Sequence, residues 1–252
     1  MSAVVTAPAL SPTPSHVDNN VTAQLISIWM APLVGVILLG AFLAFPGFLP
    51  PMSPNMSASQ VASFFDEHRV AIRFSMIVFD LCGIMLVPFF MVIVTQMKRM
   101  ATPSEVFAYA YLAAVTSGAT LFAVSNLLWL LAAFRPERDP ALVQLLNDLA
   151  WLIFTAPVGM LVAQCICLAL AIYLDAQPRP VFPRWVGHLN LVTAVLMAPA
   201  AAAAVVTSGP FAWDGLVSFW LKIGSFSVLL CVMFVVALQA VRRQAREAVA
   251  SP

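Results

Sequence analysis

The sequence predicts an all-α fold, a polytopic bundle of six transmembrane helices, and three observations predict it. Hydrophobic residues make up 62% of the 252 positions and charged residues only 9%, a balance that leaves a soluble domain of this size short of polar surface. Apolar runs of roughly 20 residues, the length that crosses the hydrocarbon core, recur six times. The connectors between them are short and hold the breakers and most of the charges, which leaves no room for a large soluble domain.

The expected spans are 24–46, 72–96, 107–133, 147–173, 188–208 and 215–240. Residues 1–23 are rich in Ala, Ser, Thr and Pro and have no Lys or Arg. They lack the basic start of a secretory signal and read as a disordered tail. Residues 24–241 form the transmembrane domain, and 242–252 a basic tail. Six crossings bring both termini to one side. Lys98, Arg99, Arg179, Arg184, Arg242, Arg243 and Arg246 fall on that side, against Arg69, Arg73, Arg135 and Arg138 on the other. The positive-inside rule therefore predicts cytoplasmic termini.

The first outer connector runs through Pro50-Pro51-Met52-Ser53-Pro54 into a segment where Val61, Phe64 and Phe65 share a helical face. That pattern predicts a short interfacial helix, with Ser57 or Ser59 as its N-cap. The second, Phe134-Arg-Pro-Glu-Arg-Asp-Pro140, is breaker-rich and restarts into Leu142, Leu145 and Leu146. Trp129, Phe134, Trp151, Trp213 and Trp220 on the outer side, with Trp29, Phe107, Tyr109, Tyr173 and Trp185 on the inner, read as interfacial belts. Pro32, Pro88, Pro157 and Pro199 lie inside spans and predict kinks. Asn190, Ala194, Ala198, Ala201, Ala204 and Ser208 form a small-residue stripe suited to close helix contact.

Ionisable groups in hydrocarbon cost at least ~2.5–3.5 kcal/mol at a helix centre, so each asks for a reason. Asp80 in the second span and Lys222 in the sixth fall at matching depth below the outer surface, which allows an ion pair. Asn126 reaches a similar level in the third span, and Asn147 and Asp148 open the fourth. Ser218, Lys222 and Ser225 share one helical face; Asp148, Trp151, Thr155 and Gly159 share another. Asp80, Asn126, Trp129, Asp148, Trp151 and Lys222 are thus the candidate ligand-binding residues, in the outer leaflet, with no comparable cluster in the inner half. Two readings stay open: a buried ion pair that fixes helix register, and an outward-opening apolar pocket with a few polar anchors.

Other chemistry is poorly supplied. The net charge of +1 provides no basic surface for nucleic acid. Cys82, Cys165, Cys167 and Cys231 form no CxxC pair and read as buried packing residues. The only histidines, His16, His68 and His188, lie in the tail, a connector and a helix end. Haem ligation, di-iron boxes and zinc helices are out of their reach, and no metal or cofactor is expected. GxSxG and P-loop patterns are missing, so the chain leans away from an enzyme.

The segments Phe134–Pro140, Leu146-Asn-Asp-Leu-Ala-Trp151, Pro180-Val-Phe-Pro-Arg-Trp185 and Gly209-Pro-Phe-Ala-Trp-Asp-Gly215 resemble a group of bacterial membrane proteins common in actinobacteria. The likeness covers most of the chain after about residue 24. It implies a six-helix protein of the bacterial cytoplasmic membrane and carries over no activity or site residue. The function expected from the residues is binding or translocation of a small hydrophobic or amphipathic molecule at the polar outer-leaflet level. The alternatives are an accessory subunit scaffolding a larger membrane complex, and an enzyme using a carboxylate on a lipid-like substrate. Expected partners are membrane lipids, such a molecule, and a membrane protein or a second copy.

Overall fold

In a bilayer each backbone N–H and C=O must be satisfied within the protein, which restricts a spanning chain of this composition to helices. The computed structural model describes residues 14–250. It is 78% helix, with no strand among the described residues. Six helical segments are long and apolar enough to cross a membrane: Asn20–Ala44, Arg69–Met97, Val106–Phe134, Pro140–Leu174, Arg184–Ala204 and Leu216–Val249. Both ends of the described chain therefore lie on one face, the termini face, opposite the loop face.

The helices are α1 (Pro14–Ala44), α2 (Ala58–Glu67), α3 (Arg69–Gly83), α4 (Val87–Met97), α5 (Val106–Phe134), α6 (Pro140–Thr155), α7 (Gly159–Leu174), α8 (Arg184–Met197) and α9 (Lys222–Ala250). Of the disordered tail expected over residues 1–23, residues 1–13 lie outside the described residues, and α1 already covers the remainder. Similarly, α9 runs through the expected basic tail as far as Ala250. The fourth span starts at Pro140 rather than at the expected 147. Asp139 caps it by accepting from Ala141 N at 2.8 Å, with Pro140 in the first turn, a favourable helix start.

Three of the four intramembrane prolines coincide with breaks. A 3₁₀ turn, Ile84–Leu86, precedes Pro88; α6 and α7 part around Pro157; and α8 passes at Ala198 into a 3₁₀ helix that contains Pro199 and ends at Ala204. A proline removes one intrahelical donor and crowds the preceding turn. Helix α1 continues through Pro32. The break at Ala198 also overturns the small-residue stripe. A 3₁₀ helix has three residues per turn, so Met197, Ala200 and Ala203 are buried while Ala198, Ala201 and Ala204 turn outward.

The expected helix in the first outer loop is α2. Ser57 and Gln60 form a reciprocal capping box, and the Val61–Phe65 face packs on α6. The connector before it folds inward. Phe48, 1% exposed, has seven aromatic neighbours with ring centroids 4.4–6.1 Å away: Phe42, Phe45, Phe79, Trp129, Trp151, Phe154 and Phe219. Gly47 permits this entry, since a Cβ there would come within 2.7 Å of Met52 Cγ and Phe64 Cζ.

The termini face is fastened by hydrogen bonds. Gln96 Nε2 donates to Gln24 Oε1 at 2.6 Å and to Gln244 Oε1 at 2.9 Å, tying α4 to α1 and α9. Arg99 donates to Gln96 Oε1 and pairs with Glu247 at 3.1 Å. Asp175, 4% exposed, accepts from the backbone N–H groups of Ala101, Gln177 and Val181, which joins the α4–α5 and α7–α8 connectors. This corrects the expectation that polar side chains cluster only near the loop face. All four cysteines are free, but of the burial expected for them only Cys165 shows it; Cys82 and Cys167 are half-buried and Cys231 is exposed.

Because Phe48 fills the centre of a ring cluster, Phe48→Ala should leave a cavity that costs about 3–5 kcal/mol. The SDS-titration unfolding midpoint should fall accordingly. Leu131→Ala, at a lipid-facing position, should scarcely move it.

Candidate functional site

The break between α6 and α7 sets the geometry of the loop-face core. Pro157 has no N–H, and Val158 N turns back to Ala156 O at 2.8 Å, so the carbonyls at the end of α6 lose their usual donors. Lys222 replaces them. Its Nζ donates to Phe154 O at 2.8 Å and Thr155 O at 3.2 Å and sits 4.7 Å from the centroid of the Phe154 ring. Lys222 is 5% exposed and stands where the π-helical turn Leu216–Leu221 gives way to α9, the kind of bulge that frequently marks a functional position.

The ion pair with Asp80 is not formed. Asp80 is exposed on α3, and among the described residues it has no salt-bridge partner. Matching depth did not bring the two together because Phe79, not Asp80, points into the bundle. Phe79 is 1% exposed and packs between Phe42 of α1 and Phe122 of α5. One residue along an α-helix is a rotation of about 100°, which turns the next side chain toward lipid.

Four of the other candidates come together. Trp129 of α5 and Trp151 of α6 are fully buried and meet edge to face at 4.9 Å. Asn126, 1% exposed, lies one turn before Trp129. Trp151 in turn lies 6.1 Å from Phe219 of the π turn that leads to Lys222. Asp148 is half-buried at the edge of this group, while Asn147 beside it is buried. The two tryptophans, like Trp213, are therefore core residues and not the interfacial belt expected of them. Trp220, Trp29 and Trp185 are exposed as a belt requires.

This core leaves several polar atoms without a hydrogen-bond partner among the described residues: both amide atoms of Asn126, Nε1 of Trp129 and of Trp151, Oδ1 of Asn147 and Oγ1 of Thr155. Buried polar groups are nearly always paired, and each unpaired one costs about 1–3 kcal/mol. The rings around them are packed, and the loop-face connectors close over the top. Trp213 Nε1 donates to Met52 O at 2.8 Å, and Gln144 Nε2 to Met56 O at 2.9 Å. Asp214 beside Trp213 has its carboxyl raised above the ordinary range by burial, an effect eased by its own backbone N–H and by Ser53.

Phe48 and Thr155 belong to this site and are not among the sequence candidates. Phe48 is an aromatic enclosed by breakers, Pro46-Gly47-Phe48-Leu49-Pro50, a pattern that signals an inward-turning loop. Thr155 carries the signal of the helical face it shares with Asp148 and Trp151, and it lies just before Pro157. No protein-family model, curated protein or solved structure matches the chain, and the site is therefore read from its own chemistry.

Lys222→Met should expose two buried acceptors to an apolar neighbour and lower stability by about 2–5 kcal/mol. Asp80→Asn should change it little. In the double variant the two effects should add to within about 0.5 kcal/mol, because the side chains do not touch. A coupling well above that in SDS-titration unfolding would restore the ion pair.

Proposed function

We propose that the protein binds or translocates a small amphipathic molecule whose acceptor-rich head, a carboxylate, phosphate or carbonyl group, is held between Lys222, Asn126, Trp129 and Trp151. The observation that carries the reading is the set of buried, unpaired polar atoms on α5 and α6 beside the buried amine of Lys222. The available donors are two indole N–H groups, the Asn126 amide and the third N–H of Lys222. Donors of this kind match an acceptor group, and the surrounding rings match an apolar body. Two interrupted helices meeting at one level, at Pro157 and at Lys222, are also what transporter sites use to bring backbone and side-chain polarity into the membrane.

Phe48 is the gate in this reading. It hangs from a connector and not from a helix, so its withdrawal would open the ring cluster to the loop face without unpacking the bundle. The hydrogen-bonded termini face would stay closed meanwhile.

Native mass spectrometry of protein taken from its own membrane should show a bound molecule below about 1 kDa. Its occupancy should drop at least tenfold in Lys222→Met and in Asn126→Leu, and persist in Asp80→Asn. Ligand-free wild-type protein, or equal occupancy in all three variants, would sink the proposal.

A further inference from the structure

Asp80 takes no part in the ring cluster, and its position is costly. It lies about 16 Å along the helix from Arg69 at 1.5 Å per residue, on the lipid-facing side of α3. Arg73, Ile77, Asp80 and Ile84 follow one another at i, i+4, i+7 and i+11 along the edge of α3 and its following turn that borders α5. Arg73 and Ile77, with Leu127, Leu130 and Leu131 opposite them, line a shallow groove of about 560 Å³ between the two helices. Asp80 is one turn further in. The helices close together just beyond it, where Gly83 lies against the Phe122 ring so tightly that a Cβ would fall 2.6 Å from it.

We propose that this groove docks a membrane-spanning helix of a partner protein that carries a Lys or Arg at mid-membrane depth, with Asp80 as its counter-ion. An ionisable group inside the membrane normally faces the bundle interior or pairs with another, and among the described residues Asp80 does neither. A lysine stem can snorkel to the surface; the single methylene of an aspartate cannot. Phospholipid donors lie in the headgroup layer, and acyl chains have none. A donor at the level of Asp80 therefore comes from protein.

Among the described residues a second copy of this chain offers no free Lys or Arg at this depth. Among the described residues the Lys or Arg deepest in a span is Lys222, which is buried and bonded to two carbonyls. Arg73, at the groove's outer end, is committed to Ala133 O and Phe134 O at 2.7–3.0 Å. The lipid-facing hydroxyls Thr116, Ser117 and Thr120 on α5 donate to carbonyls of their own helix. The proposal goes beyond the ligand reading and is independent of it: one concerns the bundle interior, the other its lipid-facing side.

The test uses the full chain in phosphatidylcholine vesicles and labelled transmembrane peptides of Leu and Ala. One peptide carries a single central Lys, a second has Leu there, and a third has the Lys moved seven residues toward one end. Energy transfer should show the central-Lys peptide binding at least tenfold more tightly than either control. Asp80→Asn should abolish that preference, and Asp80→Glu should keep most of it. Equal binding of central and displaced Lys overturns the proposal without any change to the protein, so the outcome does not hang on how a variant folds. An undiminished preference in Asp80→Asn overturns it too. So would a concentration-dependent dimer of the chain that Asp80→Asn dissolves and the Lys peptide leaves unchanged, since the groove would then belong to a second copy.

Discussion

A span broken inside the membrane must have its loose carbonyls satisfied from elsewhere, and in this protein Lys222 does that for the fourth span. Pro157 interrupts the helix, Val158 N folds back on Ala156, and the ammonium of the sixth span closes the gap at Phe154 and Thr155. The bond joins two spans that are distant in sequence and fixes their relative depth. It also gives the buried Lys222 amine hydrogen-bond acceptors in the core where no carboxylate is present. Carbonyl dipoles and the face of Phe154 supply the negative potential that an acid would otherwise provide.

The two halves of the bundle are held by different forces. At the termini face, amides, a guanidinium and buried Asp175 are paired with one another or with backbone, and satisfied networks of this kind rigidify the helices they join. At the loop face the contacts are mainly ring against ring, and the polar atoms among them are unpaired. Dispersion between rings costs less to exchange than a buried hydrogen-bond network. The difference makes the loop face the half where a rearrangement is affordable, and Phe48 sits there on a connector and not on a helix.

Intramembrane polarity thus meets three fates here. Lys222 and the glutamines are bonded inside the protein; Asn126, Trp129 and Trp151 are enclosed but unpaired; Asp80 faces outward. The last two imply different kinds of occupant, one inside the bundle and one beside it. Sequence depth alone ranked Asp80 and Lys222 as partners. The rotation of α3 separates them, because Phe79 takes the inward position between α1 and α5.

The residue order determined the solvent and the architecture. Long apolar runs of spanning length, with charges confined to connectors, admit six membrane helices and little else. Local chemistry also carried Ser57 as an N-cap and the breaks at three of the four intramembrane prolines, Pro88, Pro157 and Pro199, since each depends on neighbours a few residues away. Which face each helix turns inward depended on packing between distant segments. Asp80 went to the outside, the Ala198–Ala204 stripe changed register, Trp129, Trp151 and Trp213 left the interface for the core, and Gln24, Gln96 and Gln244 met at the termini face. A span that is hydrophobic on most of its surface has no strong amphipathic preference to announce its inward side. Tertiary contact alone made that choice, and with it the membership of the site.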